Sequence, residues 1–218
     1  MVAGVETRLR PLGVDRRFEA GATLFKSGEP FQSLFLLRAG TVKRTILHVD
    51  GREQVLGFAL SGDLLGLASL GSDRYQATAT AIEFCVATEI EAGALERAAE
   101  ADIHLHRFLL AEMGGALRER HSRMVTLGAI TAEERVAAFL LDLGQRFRER
   151  GFSGERFLLK MTRTEIGALL GLTLETVSRV LSRLRQRGLI RLERREVVLC
   201  DLPGLRRLAG GGLASRLN

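Results

Sequence analysis

Glu175, Ser178 and Arg179 place a carboxylate, a small hydroxyl and a forked guanidinium at i, i+3 and i+4. That spacing puts all three on one face of a helix. Together they form an acceptor, a hydroxyl that both gives and takes, and a bidentate donor, the set that reads base edges in a DNA major groove. Arg179 suits the paired acceptors of a guanine, Glu175 the amino group of a cytosine, and Ser178 a base or the surroundings of a thymine methyl. No catalytic constellation accompanies them. His48, Asp50 and Asp63 fall in loops without a nucleophile–base pair, metal-ligand spacing or phosphate-binding glycine loop, so the chain is not read as an enzyme.

The neighbouring sequence supplies the elements that must position this face. Thr162 followed by Glu165 is a capping box, which starts a helix at Arg163. Ile166, Leu169 and Leu170 give that helix its apolar side, and Gly171 ends it. Thr173 caps a second helix running to about Arg187, with Gly188 as terminator. Val177, Val180, Leu181 and Leu184 form its inward stripe, leaving Glu175, Ser178, Arg179 and Arg183 outward. Two helices joined by a tight turn, with the second bearing the reading residues, make a helix-turn-helix. ERFLLKM before it reads as a short strand. LIRLERREVVLCDL after it reads as a hairpin with Glu193, Arg194 and Arg195 at the turn, so the unit is a winged helix. Thr162, Arg163, Thr173, Thr176, Arg183, Arg194 and Arg195 are the candidates for phosphate contact or positioning.

Charge agrees with this placement. The chain has 218 residues and a net charge of +6. Residues 1–150 carry 19 basic and 20 acidic residues, whereas residues 151–218 carry 13 and 6. The excess positive charge therefore sits in the last third, around the two-helix motif, as a phosphate-backbone binder requires. Cys85 and Cys200 are too few and too far apart for a disulfide framework or a metal cluster. No signal peptide and no membrane-spanning apolar run are read, and the expected location is the cytoplasm.

The remainder reads as a β-rich domain followed by helices. Residues 16–90 hold short apolar or alternating runs separated by turn glycines at 21, 28, 40, 51, 62 and 71, with Asp50-Gly51 marking a hairpin. Residues 94–128 turn helical. Ile103, His106, Leu110, Met113, Leu117, Arg120, Met124 and Leu127 follow alternating steps of three and four, a coiled-coil seam that predicts a homodimer. Leu105, Phe108 and Leu109 form a second stripe for packing on the barrel. Thr131 with Glu134 caps a helix to about Arg150, with a hinge at Ile130-Thr131, and Pro203-Gly204 is read as the end of the compact part. The expected class is α+β: a β-barrel (jelly roll) over residues 1–93, a dimerisation helix and hinge over 94–130, a winged helix-turn-helix over 131–209 and a frayed tail over 210–218.

The order of these parts, with GLTLETVSRVLSRLRQRGLI, resembles the bacterial CRP/FNR family over about residues 16–209. AEERVAAFLLDLGQRFRERGFS and MTRTEIGALLGLT are similar to its fumarate and nitrate reduction branch. The resemblance implies a cyclic-nucleotide-binding-like N-terminal domain and a transcription regulator that works with RNA polymerase. In that branch a Glu-x-x-Ser-Arg helix reads TTGAT half-sites in an inverted repeat, and Glu175, Ser178 and Arg179 match that pattern. The cyclic-AMP receptor type has an arginine and a glycine where this chain has Leu174 and Ser178.

No cofactor is expected. The phosphate cradle of cyclic-AMP receptors uses a glutamate and an Arg-Ser pair, and Leu67, Tyr75 and Gln76 stand at those positions. A cyclic phosphate would lose its guanidinium fork. A [4Fe–4S] cluster requires four thiolates or close substitutes. The family's barrel cysteine falls near Thr88, and no cysteine precedes Cys85. The chain also starts close to the barrel, which leads to the expectation of no N-terminal cysteine segment. His104 and His106 are the residues that an alternative, haem-sensing regulator would use, and a ligand-binding barrel without DNA readout is the other alternative. Cys85 is expected as a buried packing residue.

Overall fold

The computed structural model describes residues 7–47, 51, 53–126 and 131–210, with backbone alone over 116–126. The chain falls into two compact units, residues 1–121 and 122–218.

The first unit is a β-sandwich of jelly-roll type. Its strands are β1 (Val14–Phe18), β2 (Thr23–Phe25), β3 (Ser33–Ala39), β4 (Thr41–Leu47), β5 (Glu53–Leu60), β6 (Leu64–Leu65), β7 (Thr78–Ala81) and β8 (Cys85–Glu91). They form two sheets, β1-β8-β3-β6 and β2-β7-β4-β5, rather than one closed barrel. The β4–β5 hairpin predicted from Asp50-Gly51 is present and Gly51 has φ 82°, while Asp50 lies outside the described residues. Gly40 shows why one turn needs glycine: its φ is 91°, and a Cβ there would stand 2.5 Å from Cys85 Sγ.

Strand β3 explains the layering. SLFLLRA is continuously apolar through its centre because both of its faces are covered. Phe35 and Leu37 point between the sheets with Phe25, Val42, Leu65, Tyr75 and Cys85. Leu34 and Leu36 point the other way, onto Leu9, Ile90, Leu95, Leu105 and Leu109. Full burial of such side chains is worth roughly 1.5–3 kcal/mol each.

The stretch read as one helical run is two helices, α1 (Ala92–Ala101) and α2 (Ile103–Thr126). The first begins two residues before the expected boundary at 94. Asp102 breaks the run with extended backbone, φ −125° and ψ 100°. Its carboxylate accepts from the His104 N–H at 2.9 Å and pairs with Arg8. The His104 N–H, followed by Arg8, holds that carboxyl below the usual carboxylate range.

The second unit contains α3 (Ala132–Glu149), β9 (Arg156–Leu158), α4 (Arg163–Leu170), α5 (Leu174–Gln186), β10 (Ile190–Glu193), β11 (Glu196–Leu199) and α6 (Leu202–Leu208). The predicted capping box of Thr131 and Glu134 opens α3. The three strands form an antiparallel sheet in the order β10-β11-β9. Pro203-Gly204 does not end the compact part. Proline sits in the first turn of α6, where no intrahelical N–H is needed, and Asp201 caps that turn through the Gly204 N–H at 2.8 Å. Leu205 is fully buried, so α6 belongs to the core. The tail at 211–218 lies outside the described residues.

Candidate nucleic-acid interface

The two-helix motif is built by local chemistry. The Thr162 hydroxyl accepts from the Glu165 N–H at 3.2 Å, and Glu165 returns the bond to the Thr162 N–H at 2.8 Å. Helix α4 ends at Gly171, in the left-handed region at φ 66°. The chain then doubles back so closely that a Cβ on Gly167 would stand 2.5 Å from the Leu172 carbonyl. Helix α5 starts at once, with the Thr173 hydroxyl accepting from the Thr176 N–H at 3.2 Å. Its inward stripe is Val177, Val180, Leu181 and Leu184, all buried.

The opposite face carries the predicted reading residues. Glu175 and Arg179 are exposed and Ser178 is half-buried. Backbone N–H bonding at Glu175 itself, then the Thr173 hydroxyl and the Arg179 charge, lower the Glu175 pKa and favour its ionised, acceptor form. Arg179 Nη2 donates to Thr176 Oγ1 at 3.4 Å. Helix α5 thus presents a negative and a positive group one turn apart.

The other predicted residues divide into four kinds. The hydroxyls of Thr162, Thr173 and Thr176 are tied up in caps or bonded to one another, the last two at 3.1 Å. Arg163, at the first position of α4, is half-buried with no hydrogen-bond or ion-pair partner among the described residues, and burial pushes its pKa down. The turn of the wing is Arg194-Arg195, with Glu193 still in β10 opposite Glu196. Both arginines are exposed, and Arg194 takes φ 53°, a left-handed conformation that costs a non-glycine residue on the order of 1 kcal/mol.

Arg183, read from the sequence as outward and open to phosphate, is exposed but engaged. Its Nη1 donates to Glu133 Oε1 at 3.2 Å, and Arg187 Nη1 donates to Glu133 Oε2 at 3.2 Å. Sequence reasoning missed both this acid and Leu174. Leu174, the first residue of α5, is 44% exposed although its spacing to Val177 and Leu181 places it in the apolar stripe. The helix end projects past the core that covers its later turns.

On α2 the two predicted stripes separate. Leu105 and Leu109 are buried in the first unit, while Ile103, Leu110 and Met113 are 57%, 56% and 44% exposed. The side chains of Leu117, Arg120 and Met124, and all of Leu127, lie outside the described residues. His104 and His106 are both exposed.

At the cradle positions, Leu67 lies in a short 3-10 turn and Gln76 is exposed. Tyr75 is buried and stacks on Phe25 with ring centroids 4.2 Å apart and planes at 13°. The adjacent guanidinium, Arg74, is exposed and donates to the Gly28 carbonyl at 2.6 Å. Thr88 is fully buried, its hydroxyl donating to Asp15 Oδ1 at 2.6 Å. Cys85 is buried as expected, its thiol lying 3.4 Å from the Thr41 carbonyl and 3.2 Å from that of Glu83, and burial raises its pKa. Among the described residues no group of three or more His, Cys, Asp and Glu can hold a metal ion, and no helix is long and apolar enough to cross a membrane.

The Crp-like helix-turn-helix domain matches residues 134–208, and the cyclic nucleotide-binding domain matches residues 15–102. The chain is similar to the transcriptional activator protein anr of Pseudomonas aeruginosa, 41% identical over 198 residues that cover 91% of this chain and 81% of that protein. It is 36% identical to the fumarate and nitrate reduction regulatory protein of Escherichia coli K12 over 88% of this chain and 77% of that one. The solved structure of FixK2 from Bradyrhizobium japonicum is similar with a TM-score of 0.82 and 34% identity, covering 90% of this chain and 96% of that one. The chain therefore belongs to the CRP/FNR family of DNA-binding transcription regulators and is not an enzyme.

Proposed function

We propose that the protein acts as a cytoplasmic homodimer that binds an inverted repeat of TTGAT-like half-sites and works with RNA polymerase. The observation that carries this reading is the exposed face of α5, where ionised Glu175 and Arg179 stand one turn apart on a helix capped at its entering end. Arg179 pairs with a guanine, Glu175 accepts from a cytosine amino group, and each such contact is worth about 1–3 kcal/mol of discrimination. Arg163, Arg194 and Arg195 take phosphates and set the register without reading sequence. Leu174, exposed beside Glu175, contacts a thymine methyl, the apolar feature of the major groove.

Dimerisation is supported by the exposed Ile103, Leu110 and Met113, three apolar residues on one seam of α2. Two reading helices related by a two-fold axis enter successive major grooves roughly 34 Å apart.

Neither a cyclic nucleotide nor a [4Fe–4S] cluster is the effector in this proposal. Tyr75 packs as core where a cyclic phosphate needs a guanidinium, and the nearby Arg74 is spent on a backbone carbonyl. Thr88 offers a hydroxyl already bonded to Asp15 where the family resemblance calls for a thiolate. Haem is likewise not proposed, since His104 and His106 are exposed helix-surface residues with no accompanying ligand set among the described residues.

A gel-shift competition tests the reading. A TTGAT-N4-ATCAA duplex should compete far better than random DNA for the protein near physiological salt. Equal competition by the two duplexes would remove the sequence-specific claim.

A further inference from the structure

We infer that Glu133 is a positioning residue for the recognition helix: it holds Arg183 and Arg187 off the DNA backbone and so limits sequence-blind attraction. This rests on the DNA-reading role proposed above. Glu133 lies in the first turn of α3, where a carboxylate is favoured by the helix dipole. Its two oxygens are divided between two guanidiniums, Oε1 to Arg183 and Oε2 to Arg187, each at 3.2 Å. Its own side chain is 25% exposed, whereas those of Arg183 and Arg187 are 63% and 53% exposed.

The pairing does little for stability, because ion pairs between exposed side chains typically contribute only about 0–1 kcal/mol. Its consequence lies in what the arginines can reach. Arg183 stands one turn beyond Arg179 and Arg187 one turn further, roughly 6 Å and 12 Å along the helix and rotated by roughly 40° per step. They continue the line of the reading face toward the groove edge, where phosphates are met. A carboxylate and a phosphate offer a guanidinium the same bidentate acceptor geometry, so they compete for it. Phosphate contacts add affinity for every sequence alike and carry no base information. By occupying both guanidiniums, Glu133 leaves Arg179, which donates to the Thr176 hydroxyl with Glu175 one turn away, as the cation of that face outside any salt bridge among the described residues, and it favours base reading over adhesion.

The full-length protein and its Glu133→Gln variant test this directly. Binding to the inverted-repeat duplex and to a random duplex is measured by fluorescence anisotropy across a salt series. Glutamine keeps the size of the side chain and removes its charge. The variant is expected to bind random DNA more tightly, with a salt slope steeper by about 0.9 for each phosphate gained and by about 1.8 for both. Between about 50 and 200 mM salt, its loss of affinity should then exceed the wild type's by about threefold for one contact and about tenfold for two. Preference for the inverted repeat should fall. In an Arg183→Ala, Arg187→Ala background the slope should be that of the wild type, and adding Glu133→Gln should change nothing. An unchanged slope and random-DNA affinity in folded Glu133→Gln would overturn the inference. So would weakened binding to both duplexes, which would make Glu133 a structural tether of α5. Failure of the wild type itself to prefer the inverted repeat strikes instead at the reading on which this rests, and is seen before any variant is made.

Discussion

The phenol of Tyr75 spans the backbone of Ser33, donating to its carbonyl at 2.7 Å and accepting from its N–H at 3.2 Å. Tyr75 is the only tyrosine in the chain, so its titration can be read without interference. Burial is the main cause that raises its pKa, partly offset by the backbone bonds of Ser33 and Gln32. The folded value lies above the unfolded one, so the stability tied to the neutral phenol is intact below about pH 10 and is lost as pH rises through the folded pKa. Tyrosinate absorbance should therefore appear at higher pH in the native protein than in protein unfolded by denaturant. Tyr75→Phe should cost about 1–3 kcal/mol in urea unfolding by removing the partner of a buried backbone pair. A native titration at or below the unfolded one would contradict this account of the core of the first unit.

Because that core is filled by Tyr75, Phe25 and Phe31, the cradle position has no arginine to hold a phosphate. Isothermal calorimetry with cyclic AMP should give no heat of specific binding. Micromolar affinity would show that the aromatic packing yields to the ligand and that another cation serves in place of the missing fork.

The wing separates backbone strain from charge. Arg194→Gly should relieve the left-handed strain at φ 53° and stabilise the DNA-binding unit by up to about 1 kcal/mol. The same change should weaken binding to inverted-repeat and random duplexes alike and reduce the salt slope by about 0.9. Arg163→Ala should reduce the slope similarly without the gain in stability. A loss confined to the inverted repeat in either variant would show base reading instead of phosphate contact.

How much of this was legible in the sequence differs by element. Helix α4 was legible to the residue and α5 to within one residue of its far end, because Thr162–Glu165, Gly171 and Thr173 fix three of their ends locally and the stripe from Val177 to Leu184 fixes the buried side. Over the described residues the two stripes of α2 were legible from helical spacing, the buried Leu105 and Leu109 separating from the exposed Ile103, Leu110 and Met113. Contacts that depend on tertiary approach were not legible. Glu133 and Arg183 are 50 positions apart, and nothing local marks one as the partner of the other. Leu174 has core spacing but no neighbour to cover it, since exposure at a helix end is decided by what lies beyond that end. Pro203-Gly204 misled because the same pair that ends a helix also opens one, and the Asp201 cap decides which.

The seam offers a test of assembly. Ile103, Leu110 and Met113 expose apolar surface along one side of α2. Leu110→Glu should convert a dimer into a monomer in sedimentation equilibrium, while the far-ultraviolet circular dichroism spectrum is retained. The monomer should lose preference for the inverted repeat, since each half-site alone gives only part of the contact energy. A variant that remains dimeric would place the interface elsewhere.

The central claim is that Arg179 reads one base pair, and a double-mutant cycle across the interface measures that contact alone. The partners are Arg179→Ala in the protein and replacement of the G·C pair of TTGAT in both half-sites of the DNA. The wild type should lose about 1–3 kcal/mol per half-site when that pair is changed. Arg179→Ala should lose less than the wild type on the same change, keeping only the penalty of the Glu175 contact with the paired cytosine, and should keep most of its affinity for random DNA. An equal loss on base substitution in the wild type and in Arg179→Ala would contradict the claim, because the guanidinium would then be touching the backbone and not the base.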